Sequence, residues 1–206
     1  KVTNVSNVEL LDFDDELLKR RIKKINRKNK IKVFGSIGSL ATNYKGIHLA
    51  IKALSACSFD FEYRILGEGA YVDIYKKLAI ELDIGEKIKF QGIIGEREKL
   101  FNWLDDLDIY LQPSLTEGLP RTLIEAMSRG CPSIGSDAGG IPELINNEVV
   151  FKSNDHNALK NKILKLVDNT SLLEFYAIKN FEKAKEYRKE RLDSKRNYFW
   201  THFSNC

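Results

Sequence analysis

From Ile31 onward the chain alternates short apolar runs with amphipathic stretches, and this alternation restricts the folds that the chain can adopt. The apolar runs have the length and composition of strands buried inside a parallel sheet. Between them, Ile47, Ala50, Ile51 and Leu54 recur at i, i+3, i+4 and i+7, the spacing of a helix with one buried stripe. The alternation predicts an α/β fold: a doubly wound, Rossmann-like parallel sheet with a helical C-terminal tail.

Strands are predicted at residues 31–37, 62–66, 87–91, 109–111, 132–135 and 149–151. Helices are predicted at residues 70–82, 96–104 and 157–167, and from about Pro120. Residues 1–30 are polar and charged, and we interpret them as an interdomain lead-in helix or linker. Residues 31–170 are interpreted as the sheet domain, and residues 171–206 as helices that pack outside it.

Composition excludes several functional classes. The net charge of +4 over 206 residues is too small to single out nucleic acid as a partner. Three cysteines, Cys57, Cys131 and Cys206, lie far apart without metal-ligand spacing, so a reducing compartment is expected, with neither a disulfide framework nor a zinc site. No apolar run approaches the roughly 20 residues that span a bilayer. The basic runs within residues 19–30 and 183–196 are interpreted as solvated helix faces.

Glycines follow each of the first three predicted strands. In a doubly wound sheet, ligands bind beyond the carboxyl ends of the strands, where glycine lets the backbone approach a flat ligand and a lysine adds a cation beside phosphate. The first loop is neither a G-x-G-x-x-G fingerprint nor a Walker loop, so a plain strand-to-helix turn remains an alternative. The candidate binding residues in these loops are Gly38, Ser39, Lys45, Gly67, Gly69, Gln91, Gly92 and Ile93.

The loop after the fourth strand carries two glutamates, Glu117 and Glu125. A helix that begins near Pro120 would leave the amides of Gly118 and Leu119 free, and free amides at a helix end form an anion site. Glu125 follows two apolar residues on this helix, at the edge of the buried stripe, where an ionised carboxylate needs donors such as a ribose diol. For both glutamates, a solvated side chain is the alternative; Arg121 is either a phosphate contact or an exposed first-turn arginine.

A Gly-Gly step, Gly139 and Gly140, follows the fifth strand. It either frees further amides toward the same crevice or forms a packing turn. Together, the segments EGLPRTLIEAMSRG and PSIGSDAGGIPELI resemble the donor-binding domain of glycosyltransferase family 4, the group 1 glycosyltransferases of GT-B architecture. The resemblance covers residues 31–168, and it identifies residues 31–170 as the C-terminal, nucleotide-sugar-binding domain of such an enzyme.

The resemblance implies a role for each motif residue. Glu125 binds the ribose hydroxyls, and Glu117 is the catalytic candidate beside the donor sugar. Lys45 contacts the diphosphate, the amides after Glu117 contact sugar or phosphates, and backbone near Gly67 and residues 91–93 frames the base. Family members usually carry an arginine where this chain has Ser39, so weaker binding of the donor diphosphate is expected.

The resemblance also implies the reaction. A hexosyl group is transferred from a nucleotide sugar to a glycan or lipid-linked acceptor with retention of configuration. The donor is expected to be a UDP-sugar, because uridine is the commonest base in the family. No cofactor or metal ion is expected. The acceptor and a catalytic histidine would belong to an N-terminal domain outside this chain, because His48, His156 and His202 follow no strand end. This chain by itself is therefore expected to be inactive. The whole enzyme is expected to be cytoplasmic, with peripheral association at the inner face of the plasma membrane.

Two alternatives remain. A nucleotide-sugar epimerase of GT-B architecture also binds a nucleoside diphosphate at this crevice, although it lacks the E-x7-E element. A non-catalytic nucleotide-binding module would usually carry acidic residues after the first strand, and none lies between Gly35 and Leu40. The aromatic residues Tyr198, Phe199 and Trp200 predict that the tail crosses back onto the absent domain.

Overall fold

A six-stranded, all-parallel sheet forms the centre of the structure, a computed structural model that describes residues 14–27 and 31–194. In chain order its strands are β1 (Lys32–Ile37), β2 (Phe61–Leu66), β3 (Ile88–Phe90), β4 (Ile109–Gln112), β5 (Ser133–Ser136) and β6 (Val150–Phe151). Their spatial order is β3-β2-β1-β4-β5-β6. This is the order of a doubly wound nucleotide-binding sheet, so the predicted fold class is confirmed.

Eight α-helices flank the described sheet: α1 (Asp15–Ile25), α2 (Ile47–Ser55), α3 (Val72–Glu81), α4 (Arg97–Asp106), α5 (Arg121–Ser128), α6 (Ile141–Leu144), α7 (His156–Val167) and α8 (Thr170–Ala184). All six predicted strands and the predicted helices are present, with ends shifted by one or two residues. Shifts of this size are expected, because terminal residues depend on caps and tertiary contacts rather than on periodicity.

The core lies between the sheet and the helices that cover its two faces. On α2, the predicted stripe of Ile47, Ala50, Ile51 and Leu54 is at most 1% exposed. Burying one large aliphatic side chain contributes about 1.5 to 3 kcal/mol, so this stripe holds α2 on the sheet. The parallel pairing of Phe34 with Ile109 places β1 beside β4, which opens the crevice described below.

Helix α1 packs on the domain through a buried arginine. Arg21 is 4% exposed, and its guanidinium donates to the backbone carbonyls of Leu104, Leu107 and Arg129. Asp14 caps the helix, accepting from the amide of Glu16 at 2.9 Å. Helix α1 also contacts α8, which packs against α5. The lead-in helix is therefore fastened to the sheet domain over residues 15–25.

Replacing Arg21 with methionine is expected to lower the free energy of unfolding by about 2 to 3 kcal/mol, because buried carbonyls lose charged donors. Chemical denaturation measures this change. Arg20→Met is the matched control, since Arg20 lies next to Arg21 on the exposed side of α1. Equal denaturation midpoints for the two variants would show that the hydrogen bonds of Arg21 do not stabilise the fold.

The tail is helical as far as the structure describes it. Helix α8 is followed by a further helical segment over residues 189–194. The predicted crossing aromatics Tyr198, Phe199 and Trp200, like residues 1–13 and 28–30, lie outside the described residues. Among the helices of residues 14–27 and 31–194, none has the length and apolar character needed to cross a bilayer.

Candidate functional site

The loops after β1 and β4 diverge at the carboxyl edge of the sheet, where strand order reverses. The chain leaves β1 toward β2 on one side and leaves β4 toward β5 on the other, so a crevice opens between the two loops. A cavity of about 340 Å³ lies at this edge. It is mainly apolar and is lined by Ile37, Gly38, Ser39, Leu66, Gly67, Glu68, Gly92, Ile93, Ile94, Leu100, Thr122 and Glu125.

Glu125 carries the carboxylate that lines this cavity from α5. The neighbouring residues Leu123, Ile124 and Ala126 are fully buried, so Glu125 lies at the border of the buried face of α5. Burial raises the pKa of the Glu125 carboxyl, and the positive charges of Arg121 and Arg97 partly offset that effect. Within residues 14–27 and 31–194, no hydrogen-bond donor reaches this carboxylate. An ionised carboxylate in such surroundings is suited to accept hydrogen bonds from ligand hydroxyls.

Glu117 is held by a cluster of donors after β4. Its Oε2 accepts from Lys45 Nζ at 2.7 Å, from Ser114 Oγ at 2.9 Å and from Gln112 Nε2 at 3.2 Å. The side chain of Glu117 is 13% exposed and that of Lys45 is 26% exposed. The ion pair therefore joins the first loop to the fourth loop across the crevice.

Lys45 lies over Gly38 before it reaches Glu117. A Cβ atom added at Gly38 would meet the methylene carbons of Lys45 at 2.8 to 2.9 Å. The lysine predicted to contact phosphate is thus paired with the glutamate predicted to lie beside the sugar. A diphosphate at this position would compete with Glu117 for the same ammonium group.

The Gly-Gly turn after β5 packs against the Glu117 loop. Gly139 has φ of +54°, and a Cβ there would lie 1.9 Å from the carbonyl oxygen of Glu117. The amide of Gly140 donates to the carbonyl of Gly118 at 2.8 Å. The pair therefore forms a packing turn against the Glu117 loop, and the amide of Gly140 is not free for a ligand.

The glycine after β2 also serves loop packing. Gly67 donates its amide to the carbonyl of Gly92 at 2.7 Å, and a Cβ at Gly67 would lie 1.9 Å from the carbonyl oxygen of Gly38. The loops after β1, β2 and β3 are therefore fastened to one another. Together they form the floor of the cavity.

The structure brings some of the predicted site residues to the cavity and places others around it. Gly38, Ser39, Gly67, Gly92, Ile93 and Glu125 line the cavity. Gln91, whose backbone is expected to frame the base, does not line the cavity, and its side chain accepts a hydrogen bond from the Trp103 indole at 2.6 Å. The remaining candidates, which do not line it, are Lys45, Gly69, Glu117, Gly118, Leu119, Pro120 and Arg121.

Pro120 is the residue immediately before α5, and Arg121 is the first residue of the helix and is exposed. Within the described residues, the amides of Gly118 and Leu119 donate to no backbone carbonyl. Both amides therefore remain available as hydrogen-bond donors just before the helix.

Sequence reasoning missed the polar residues behind Glu117. Gln112 and Tyr110 lie on β4, and Thr122 lies on α5. Gln112 is 2% exposed and Tyr110 is fully buried. The available signal was the glutamine itself, because a polar residue that ends an otherwise apolar buried strand needs partners.

Other polar groups do not add to this site. Among residues 14–27 and 31–194, no group of histidine, cysteine, aspartate and glutamate is arranged to hold a metal ion. His48 lies in α2. His156 begins α7, and His202 is outside the described residues.

Comparison with known proteins gives relatives of one kind. The family model described as Glycosyl transferases group 1 matches residues 19–191. Protein CapJ of Staphylococcus aureus is 34% identical over 203 residues, which are 95% of this chain and 44% of CapJ. The amylovoran biosynthesis glycosyltransferase AmsK of Erwinia amylovora is 38% identical over 117 residues, covering 52% of this chain and 28% of AmsK. The chain thus spans less than half the length of these curated relatives.

Solved structures share the fold. Anabaena HepE, solved in complex with UDP, has a TM-score of 0.78 at 21% identity, over 92% of this chain and 56% of HepE. The C-terminal domain of the group 1 glycosyl transferase LpcC from Francisella tularensis has a TM-score of 0.66 at 23% identity. That match covers 88% of this chain and 96% of the LpcC domain. The fold, the crevice with its two glutamates and the family match together show that this chain belongs to the group 1 glycosyl transferases.

Proposed function

We propose that this chain is the donor-binding half of a retaining, GT-B glycosyltransferase of family 4. The enzyme transfers a hexosyl group from a UDP-sugar to a glycan or lipid-linked acceptor in polysaccharide biosynthesis. The observation that carries the proposal is the Glu125 carboxylate in an apolar cavity at the reversal of strand order. This cavity suits a base and ribose, because apolar walls cover the flat groups while the carboxylate accepts from two hydroxyls.

The neighbouring Glu117 cluster completes the proposed donor site. The diphosphate would lie between the cavity and this cluster, taking the Lys45 ammonium from Glu117 and accepting hydrogen bonds from the amides that begin α5. Such donors can neutralise a leaving diphosphate without a metal ion. In this arrangement Glu117 faces the sugar. Ser39 adds no positive charge to the cavity wall, so Lys45 supplies the cation of the first loop.

Two related proteins support the donor and the pathway. AmsK is described as an amylovoran biosynthesis glycosyltransferase, and HepE was solved with UDP. We propose the same class of donor and a related polymer pathway here. The acceptor would bind to a facing N-terminal domain, joined through residues 1–30 and contacted by residues 171–206. The whole enzyme would work in the cytoplasm, at the inner face of the plasma membrane.

Nucleotide binding tests the donor site. At a concentration 100-fold above Kd, UDP is expected to stabilise the chain by about 2.7 kcal/mol. For a domain of this size, that corresponds to a rise in melting temperature of about 5 to 11 °C. The measurement is a melting curve with UDP, GDP, ADP and their sugar derivatives, repeated with EDTA, which is expected to leave the shift unchanged.

Four results would contradict the proposal in different parts. Absence of a shift with every nucleotide would remove the donor site. A shift lost with EDTA and restored by magnesium would contradict metal independence. Acceptor-dependent release of UDP by this chain alone would contradict the proposal that the acceptor binds to a separate N-terminal domain. Conversion of a UDP-sugar to its epimer would favour the epimerase.

A further inference from the structure

A buried chain of polar side chains lies behind Glu117 at the end of β4. The hydroxyl of Tyr110 lies 3.0 Å from Gln112 Oε1 and 3.1 Å from Thr122 Oγ1. On its other side, Gln112 Nε2 donates to Ser114 Oγ at 2.9 Å and to Glu117 Oε2 at 3.2 Å. Thr122 lines the nucleotide cavity, so this chain connects the cavity wall to the Glu117 cluster.

The chemistry of the groups allows one orientation of the Gln112 amide. An ionised carboxylate only accepts hydrogen bonds, so the amide nitrogen faces Glu117 and the amide oxygen faces the two hydroxyls. Burial raises the pKa of Tyr110 far above its ordinary value, so its hydroxyl keeps its proton and remains a donor. The Tyr110 hydroxyl thus supports the orientation in which Gln112 donates toward Glu117.

Three donors then converge on one oxygen of Glu117. Oε2 accepts from Lys45, Ser114 and Gln112, and no hydrogen bond from residues 14–27 or 31–194 reaches Oε1. The carboxylate is therefore fixed by one oxygen while the other stays open to a ligand. Of the three donors, Gln112 and Ser114 are buried, whereas Lys45 would turn to a diphosphate.

We infer that Gln112 and Tyr110 are positioning residues that fix the carboxylate of Glu117 and leave its Oε1 for a hydroxyl of the donor sugar. Tyr110 orients the amide of Gln112, and Gln112 in turn holds Oε2 when Lys45 leaves for the diphosphate. The sugar part of this inference rests on the proposed donor site. The holding of Glu117 and of its ion pair is a property of the ligand-free chain and can be tested without a nucleotide.

The first test follows the ammonium group of Lys45 by proton–nitrogen correlation spectroscopy, with the signal assigned through Lys45→Arg. A signal protected from exchange is expected in the unsubstituted chain. It is expected to disappear or shift in Gln112→Met, which keeps the side-chain volume, and in Tyr110→Phe, which keeps the ring. Unchanged signals in both variants would overturn the inference.

Tyr63→Phe is the matched control. Tyr63 is also a fully buried tyrosine with a raised pKa, and its hydroxyl donates to Ser36 Oγ at 2.7 Å rather than to Gln112. The control loses a buried hydroxyl but is expected to keep the Lys45 signal. If Tyr63→Phe removes the signal as Tyr110→Phe does, the effect is general loosening of the core and the inference fails.

The second test compares affinities for UDP and UDP-glucose by calorimetry. Gln112→Met is expected to weaken UDP-glucose binding by about 3- to 10-fold, the effect of losing one net hydrogen bond, and to leave UDP affinity unchanged. Equal weakening of both ligands would overturn the sugar-side role of Gln112. If the unsubstituted chain binds neither ligand, the proposed donor site fails, whereas the Lys45 signal still decides whether Gln112 positions Glu117.

Discussion

Replacing Glu125 with alanine is expected to weaken UDP binding by about 10- to 150-fold, the loss of charged hydrogen bonds worth roughly 1.5 to 3 kcal/mol. The carboxylate lines a mainly apolar cavity, and the one other carboxylate in the described lining, Glu68, lies on the loop after β2 rather than on α5. Isothermal titration calorimetry of both proteins with UDP measures the change. The melting shift caused by UDP should shrink in parallel.

Glu98→Ala serves as the control for this substitution. Glu98 is also a helical glutamate, but it is exposed in the first turn of α4. Its replacement should leave UDP affinity unchanged. Unchanged UDP affinity in Glu125→Ala would remove Glu125 from the site.

The raised pKa of Glu125 sets the direction of the pH dependence. Because burial is its main cause, the folded chain binds this proton more tightly than the unfolded chain does. As the pH falls through the pKa of Glu125 in the folded chain, this group therefore raises the free energy of unfolding. Above that pKa the ionised carboxylate lowers the free energy of unfolding. UDP binding should change in the opposite sense and weaken as the carboxylate is protonated. Glu125→Gln should remove both dependences and stabilise the ligand-free chain at neutral pH.

Replacing Gly139 with alanine is expected to lower the free energy of unfolding by about 2 to 5 kcal/mol. A left-handed backbone costs a non-glycine residue about 1 to 2 kcal/mol. Overpacking against a fixed neighbour adds about 1 to 3 kcal/mol, because the new Cβ would lie 1.9 Å from the Glu117 carbonyl oxygen. At about 2 to 4 °C per kcal/mol, the melting temperature should fall by roughly 4 to 20 °C.

Gly95→Ala is the matched substitution, since a Cβ at Gly95 would meet no atom within 4 Å. It should leave the melting temperature nearly unchanged. The backbone of Glu117 must move to make room in Gly139→Ala, so UDP-sugar affinity should fall as well. Equal melting temperatures for the two variants would show that the turn relaxes freely and does not hold the Glu117 loop.

Part of the candidate site could be predicted because its residues are close in the chain. Glu117 and Glu125 are separated by one loop and the start of one helix, and the apolar residues beside Glu125 already placed it at the edge of the buried face. The free amides at the start of α5 follow from Pro120 for the same local reason. These features need only helix geometry and the rule that ligands bind at the carboxyl ends of strands.

Other features could not be predicted, because they depend on which loops touch. Glycines after β2 and β5 suggested open backbone for a ligand, yet Gly67 and Gly139 are required where one loop crosses another. Gln91 follows a strand at the ligand edge, but the indole of Trp103 holds its side chain. A sequence pattern shows where a glycine gives the backbone conformational freedom. It does not show which atom of the folded protein lies where the Cβ of another residue would be.

The alternation of strands and helices, the parallel sheet and the position of two glutamates at its ligand edge follow from the order of residues in the chain. Periodicity and turn residues act within a few positions, so they can be identified from the sequence. The tertiary structure decided which side chains meet: Lys45 pairs with Glu117 across 72 positions, and Gln112 turns its amide nitrogen toward the same carboxylate. Such contacts arise only when the strand order brings separate loops to one edge, and no local spacing encodes that distance.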